Sequence, residues 1–344
     1  MTAWRPLGVL LGAMLGAMPA ALPGAAQART LEVGPGRDYD RPSAAAAVAE
    51  DGDIVSIAPG EYFDCAIWRA NHLTIVGEPG GDGVTITDAV CQGKAAFVIP
   101  GNAVTVRNLG FARIRAPEDN GAGIRGEGSD LTVQDSRFRN TQMGILATSP
   151  HGGALRVVGC QFDEVGESLT GRSNAAVRAS GFDLVRIERS VFEHAHGGTD
   201  ISVDGARVEL VADRFSDEGG RMTGPMVGIA GGALLLEGTT VDLAAGAAAR
   251  PGVVLVTGDD ATALAVRGNT LRDAGTAATP LVRNWTGQDA VESNNTVPAG
   301  SEAVTDAGLT WHRARAAAAD VRDTLFALAR EARHLAGTVL RRFL

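Results

Sequence analysis

The residues best suited to proton transfer lie together near the middle of the chain, within and just after Glu193–Asp200 (EHAHGGTD). One residue separates the two histidines, so an alternating strand would place both imidazoles on one face. Two imidazoles are only half of a usual metal ligand set, and we predict no metal site. A solvated loop without a chemical role is the alternative. As candidate acids and bases we take His194, His196, Asp200 and Asp204.

Two arginines could bind carboxylated ligands, because a guanidinium group pairs well with a carboxylate. Arg125 and Arg178 each follow two residues that are typical of a short strand. A lyase would need such a cation beside a base, whereas a glycoside hydrolase would need two carboxylates about 5–9.5 Å apart. We therefore predict a ligand-binding surface that contains Arg125, Arg178 and Ser202.

These residues belong to a repeat whose copies begin 23 to 30 residues apart. The first, third and eighth places are apolar in nearly every copy, and the sixth is mostly small or polar. The copies are Val104–Phe111, Leu131–Phe138, Leu155–Phe162, Val185–Phe192, Val208–Phe215, Leu234–Val241, Leu264–Leu271 and, more weakly, Ala290–Val297.

The repeat predicts short strands that stack in parallel. The first and third places lie on one strand face, the sixth suits a bend, and the eighth turns an apolar group inward. No unit can bury its apolar face alone, so we expect about ten coils spaced about 4.8 Å apart, with the phenylalanines stacked inside. A propeller or an antiparallel sandwich would require a different period.

Two cysteines lie one repeat apart, since 26 residues separate Cys65 from Cys91. Equivalent positions on adjacent coils are about 5 Å apart, which suits a disulfide. We predict a Cys65–Cys91 disulfide, with two separate buried thiols as the alternative. Cys160 occupies a sixth place, and we expect it to be a small buried filler rather than a nucleophile.

Both ends of the chain differ from the repeats. Arg5, the apolar run Leu7–Met18 and the A-x-A sequence ending at Ala28 predict a signal peptide over residues 1–28. The apolar run is shorter than the roughly 17–25 residues of a membrane-spanning helix. Residues 29–300 would form the solenoid, which begins with a short capping helix at Pro42–Glu50.

Residues 301–310 read as a linker and 311–344 as a C-terminal amphipathic helix. Arginines outnumber acidic residues in this helix. It could pack on the last coil, pair with a partner helix, or lie on an anionic membrane surface. Its apolar face consists of Val321, Leu325, Leu328, Ala332, Leu335, Val339 and Phe343.

Several segments resemble secreted bacterial right-handed parallel β-helix proteins of the pectin-lyase-like superfamily. The resemblance covers roughly Leu31–Trp285 and implies a right-handed parallel β-helix, an all-β fold that hosts lyases, hydrolases, epimerases, esterases and scaffolds. It rests on the segments GDIVSIAPGEY (Gly52–Tyr62), DCAIW (Asp64–Trp68), LTIVG (Leu73–Gly77), CQGKAAFVI (Cys91–Ile99) and NGAGIRGEGSDLTVQDSRF (Asn120–Phe138).

The chain departs from that resemblance where chemistry would be expected. The related proteins carry histidines and cations at places where this sequence reads Ser173–Ala175, Gly198–Thr199 and Ser202–Asp204. The net charge of −9 and the lack of a basic segment interleaved with aromatic residues argue against nucleic acid binding.

We therefore expect a periplasmic or secreted protein that binds polysaccharide or cell-envelope glycan without strong catalysis. The alternative is a lyase, hydrolase or epimerase that acts on acidic polysaccharide. No cofactor is predicted, and a bound calcium ion is the one alternative considered.

Overall fold

The computed structural model describes residues 28–310, except 169, 172–173, 218–221, 223, 245–249 and 275–278. The predicted signal peptide, apart from Ala28, and the predicted helix at 311–344 therefore lie outside the described residues. Within the described part, no helix is long and apolar enough to cross a membrane.

The chain winds through three parallel sheets, A, B and C, which it visits in that order in each coil. Successive strands of one sheet belong to successive coils. The sheets contain 11, 9 and 10 strands, which gives the parallel β-helix of about ten coils that the repeat predicts.

Sheet A consists of Thr30–Val33, Ile54–Ile57, Thr74–Gly77, Thr105–Arg107, Leu131–Gln134, Ala154–Val158, Leu184–Glu188, Arg207–Val211, Ala233–Glu237, Ala263–Arg267 and Ala290–Ser293. Sheet B consists of Gly60–Tyr62, Val84–Thr87, Gly110–Ala112, Arg137–Arg139, Gln161–Asp163, Val191–Glu193, Arg214–Ser216, Thr240–Leu243 and Thr270–Asp273. Sheet C consists of Ala66–Ile67, Ala95–Ile99, Ala122–Gly126, Met143–Thr148, Ala175–Ser180, Thr199–Asp204, Val227–Ala230, Val254–Thr257, Val282–Asn284 and Val304–Thr305.

The bend between sheets A and B lies at the fifth place of the repeat, one residue earlier than predicted. All eight fifth-place residues have positive φ, including Asn108 at 56° and Asp135 at 48°. The sixth-place side chain therefore points inward, and several of the polar ones bond the backbone of an adjacent coil. For example, Cys160 N donates to Ser190 Oγ at 3.2 Å, and Thr239 N donates to Asn269 Oδ1 at 2.9 Å.

The predicted aromatic stack fills the core beneath sheet B. The five eighth-place phenylalanines stack face to face, with ring centroids 4.7–5.2 Å apart on adjacent coils. This regular stack confirms that like residues lie over like residues. Its members are Phe111, Phe138, Phe162, Phe192 and Phe215.

The N-terminal end of the solenoid is held by a helix, an ion pair and a disulfide. The helix Pro42–Ala46 packs against the first strands of sheets A and C. Arg29 bonds Asp53 and, with backbone donors, lowers the pKa of that carboxyl to about 2. Cys65 and Cys91 form the predicted disulfide, with Cα atoms 5.4 Å apart.

Cys160 is buried inside the solenoid, as expected for a filler. Burial raises the pKa of its thiol to about 12. A thiol that stays protonated is a poor nucleophile, so the side chain contributes packing rather than reactivity.

Candidate functional site

The outer face of sheet C carries a straight column of side chains, one per coil. Backbone pairing aligns Arg125 with Leu146, Leu146 with Arg178, and Arg178 with Ser202. The two arginines therefore lie two coils apart, roughly 10 Å by the strand spacing. The structure thus places the three predicted ligand-binding residues on one surface, which we call the sheet C face.

A second outward column runs beside the first and carries two hydroxyl groups and a carboxylate. Thr148, Ser180 and Asp204 occupy equivalent positions on successive coils. The hydroxyl oxygens of Thr148 and Ser180 lie 3.3 Å apart. The arginines of the first column and the hydroxyl groups of the second can bond carboxylate and hydroxyl groups of the same ligand.

The part of the sheet C face nearer the N-terminal end carries two cations and one carboxylate. Lys94 Nζ lies 2.7 Å from Glu127 Oε1, and Arg125 Nε lies 3.4 Å from the same oxygen. One carboxylate thus faces two cations, and Arg178 adds a third further along the column. Lys94 is a functional candidate that the sequence did not single out, because its place beside Arg125 depends on the pairing of Ala95–Ile99 with Ala122–Gly126.

Two polar atoms that make no hydrogen bond lie along this part of the sheet. Arg125 Nε and Thr199 Oγ1 are both shielded from solvent, and neither makes a hydrogen bond. Buried donors and acceptors are usually satisfied, so such atoms often mark a place where a ligand or a water binds. Thr199 pairs with Ala175 and is the first residue of its strand in the same sheet.

Apolar residues support the polar columns from the same sheet. Val98, Ala122, Met143 and Ala175 belong to a buried cluster that is separate from the solenoid core. Leu146, between the two arginines, packs against this cluster. The arginines therefore extend from a rigid surface rather than from a loop.

Three successive loops between sheets B and C are joined to one another through buried Asp119. Its Oδ1 accepts a hydrogen bond from Gln142 Nε2 at 2.8 Å. Its Oδ2 accepts bonds from Ser168 Oγ at 2.6 Å and from Thr170 Oγ1 at 2.8 Å. Because Asp119 is 2% exposed, these bonds hold the three loops firmly beside sheet C.

Asp200 does not lie on the sheet C face, contrary to the expectation from strand alternation. It is 2% exposed and follows an inward column formed by Gly123, Gly144 and Ala176. A Cβ at either glycine would contact the stacked phenylalanine rings. In each coil the residue after this position, such as Ile201 after Asp200, also points into the core. Two consecutive residues therefore point inward, which interrupts the alternation of inward and outward side chains along the strand.

Burial determines the protonation of Asp200 as well as its position. Desolvation raises the pKa of Asp200 to about 8, opposed by Arg250 and reinforced by Asp217. Its Oδ2 atom has no hydrogen-bond partner. A neutral carboxylic acid inside the solenoid cannot act on a ligand at the outer surface.

His194 lies at the bend that follows sheet B, on a different face from the arginines. Its Nδ1 is 2.8 Å from Asp163 Oδ1, and this hydrogen bond raises the pKa of the imidazole. The His194 side chain is half exposed. His196 is partly buried two residues later, and buried Ala195 separates the pair.

The four acid–base candidates therefore do not converge. Asp200 is internal, Asp204 is exposed at the end of a sheet C strand, and the histidines follow sheet B. Among the residues that the structure describes, no three His, Cys, Asp or Glu side chains are grouped to hold a metal ion.

No family model matches the sequence, and no curated protein matches it. Solved structures with a similar fold include the pectate lyase Pel9A, with a TM-score of 0.48 and 12% identity over 83% of this chain and 80% of the other. A pectin methylesterase from Aspergillus niger has a TM-score of 0.39 and 13% identity, covering 82% and 91% of the two chains. An alginate lyase from Paenibacillus sp. has a TM-score of 0.37 and 12% identity, covering 78% and 99%.

Proposed function

We propose that this protein is exported and binds an extended acidic polysaccharide along the sheet C face, without strong catalysis. The observation that carries the proposal is the column that contains Arg125 and Arg178, with Lys94 and Glu127 beside Arg125. Guanidinium groups repeated at a fixed interval on a strand face favour a ligand with repeated carboxylates over a neutral glycan.

An extended ligand would contact several coils at once. A polymer lying across the strands meets Arg125 and Arg178 in turn, and the hydroxyls of Thr148 and Ser180 are available for its sugar hydroxyls. Each contact is weak by itself, but contacts on one chain reinforce one another because the second is intramolecular.

The carboxylates of this face have the wrong spacing for glycoside hydrolysis. Asp204 and Glu127 stand on strands three coils apart, roughly 14 Å by the strand spacing. Hydrolases of this kind need about 5–9.5 Å between the two groups. The internal position of Asp200 removes the other nearby acid from consideration.

Export is supported by the sequence and by the disulfide. The positive, apolar and small-residue regions at the start of the chain are typical of a signal peptide. The Cys65–Cys91 disulfide is stable in an oxidising compartment, so we place the protein in the periplasm or outside the cell.

A second function is favoured by one observation away from the arginines. His194 is bonded to Asp163 and half exposed, an arrangement that could supply a base to a ligand on sheet B. This would make the protein a lyase or epimerase acting on acidic polysaccharide. Release of unsaturated or shortened uronates is therefore measured together with binding.

The test is binding of residues 29–344 to polygalacturonate and alginate, with dextran as the neutral glycan. We expect binding to the two acidic polymers only. Replacing both Arg125 and Arg178 by glutamine should weaken it at least tenfold, because each carboxylate contact contributes about 1 kcal/mol or more. Arg156→Gln is the matched control, since Arg156 is an exposed arginine on sheet A.

Three results would contradict the proposal. One is equal affinity for dextran, and a second is unchanged affinity of the double variant. The third is release of unsaturated or shortened uronates that His194→Gln abolishes, which would establish the enzymatic alternative.

A further inference from the structure

The last coil places a carboxylate where the preceding coils have core residues. In sheet A, the inward column includes the buried Ile187, Leu210, Leu236 and Val266, and the residue paired with Val266 in the last strand is Glu292. The hydrophobic column therefore ends in a negative charge at the C-terminal end of the solenoid.

Glu292 is one of four carboxylates that line a cavity of about 420 Å³ at this end. No lysine or arginine lines the cavity. Among the described residues, none of these carboxylates takes part in an ion pair. Partial burial raises the pKa of Glu292, and the nearby negative charge of Glu302 raises it further. We call this surface the acidic end; its carboxylates are Asp289, Glu292, Glu302 and Asp306.

The edges of two sheets are also open here. Ala290–Ser293 and Val304–Thr305 are the terminal strands of sheets A and C, and each pairs on one side only. Val291 is 73% exposed on the first of them. Uncovered strand edges pair readily with other chains, so proteins usually cover or charge them.

A segment of opposite charge begins beside this surface. Leu309 lines the cavity, and residues 311–344 follow almost immediately. This segment contains seven arginines against three acidic residues, although the whole chain has a net charge of −9. It also carries the apolar periodicity described above, which suits a surface that is partly apolar.

We propose that residues 311–344 dock on the acidic end of their own solenoid, with arginines among its four carboxylates, and cover the terminal strand edges. The occupant is the chain's own C-terminal segment because it is tethered at the cavity and has the complementary charge. Glu292, which interrupts the hydrophobic column, and the other three carboxylates of the cavity then have partners. This inference is independent of the proposed glycan binding.

The test is hydrogen exchange of residues 29–344, read on peptides from 290–305 and 311–344. In the double variant Glu292→Gln, Glu302→Gln, we expect exchange of the 311–344 peptides about fivefold faster than in the wild type, as loss of two partly exposed ion pairs would give. The double variant Asp38→Asn, Asp82→Asn removes the same charge at exposed sites elsewhere and should leave exchange unchanged.

Each other occupant predicts a different result. Equal exchange in wild type and double variant would overturn the proposal and leave the acidic end as a polar, solvent-facing cap. Protection that disappears on dilution would assign the segment to a second copy of the chain. Protection that requires vesicles of anionic phospholipid would assign it to a membrane surface.

Discussion

Asp213 occupies a buried position where neighbouring coils carry neutral polar groups. Ser190 N donates to its Oδ1 at 2.8 Å, whereas its Oδ2 has no partner. Burial raises the pKa of Asp213 to about 7, although backbone hydrogen bonds oppose the shift. At the equivalent place two coils later, Asn269 Nδ2 donates to Leu236 O at 2.9 Å, so an amide suits this position better than a carboxylate.

We expect Asp213→Asn to stabilise the protein above neutral pH and to change little near pH 4. The folded pKa of about 7 exceeds the ordinary aspartate pKa of 3.8, so the native state retains a proton that the unfolded state releases. Wild-type stability therefore falls as pH rises between these values, by an amount of the order of 4 kcal/mol. Guanidinium unfolding at pH 4, 6 and 8 measures the difference.

Asp38→Asn is the control for this titration, because Asp38 is exposed and lies near the N-terminal end of the solenoid, several coils away from Asp213. It should not alter the pH dependence. A constant difference between Asp213→Asn and wild type at all three pH values would show that the Asp213 carboxyl does not titrate on unfolding.

Among the elements, the phenylalanine stack contributes most clearly to the core. The Phe162 ring lies 4.9 Å from Phe138 and 4.7 Å from Phe192, nearly parallel to both. Phe162→Ala should lower the free energy of unfolding by about 3–5 kcal/mol, since it leaves a cavity between two fixed coils. Denaturant unfolding measures the loss.

Phe63→Ala provides the comparison, because Phe63 is 68% exposed. It should change the free energy of unfolding by no more than about 0.5 kcal/mol. Equal effects of the two substitutions would mean that the stack does not support the solenoid.

The strands and the phenylalanine stack were predictable from the sequence, whereas the position of Asp200 was not. The repeat predicted the coils, the phenylalanine stack and the common column of Arg125 and Arg178, because parallel stacking converts sequence spacing directly into spatial register. It misplaced Asp200 because two consecutive residues point inward where the chain enters sheet C, and strict alternation does not reveal that bulge.

Lys94 and Glu292 were missed for a related reason. The loops between strands differ in length from coil to coil, so a residue outside the eight-place repeat has no fixed position until the sheets are paired. Glu292 is the third residue of the weakest repeat copy, where its acidic character looked like loss of the pattern.

For the whole molecule, stability depends on its two ends, because each coil contacts only its neighbours and unfolding can begin at either end. At the N-terminal end, the helix Pro42–Ala46, the Arg29–Asp53 pair and the Cys65–Cys91 disulfide hold the first coils together. At the other end, the terminal strands border the acidic end instead.

Replacing Cys65 and Cys91 by serine should therefore destabilise the protein from the N-terminal end. The disulfide spans 26 residues, and loss of the loop constraint predicts a decrease of about 3–4 kcal/mol in the free energy of unfolding. Hydrogen exchange should become faster in strand Ala66–Ile67 before it changes in the central coils. Guanidinium unfolding gives the size of the effect.

Cys160→Ser is the matched control, because serines 136 and 190 occupy the same place on the two adjacent coils. It removes the third cysteine without removing a crosslink, so its effect should stay within about 1 kcal/mol. An equal decrease in the free energy of unfolding in both variants would mean that the cysteine side chains stabilise the protein by burial of sulfur rather than by the crosslink.

The alignment of Arg125 and Arg178 has a consequence for ligand selection. Their interval is set by hydrogen bonds between strands and not by flexible loops, so it cannot adjust to the ligand. Such a surface selects a polymer by the spacing of its negative charges more than by the identity of the sugar that carries them. Two samples of one polymer, esterified to the same extent but in blocks or at random, would then differ in affinity.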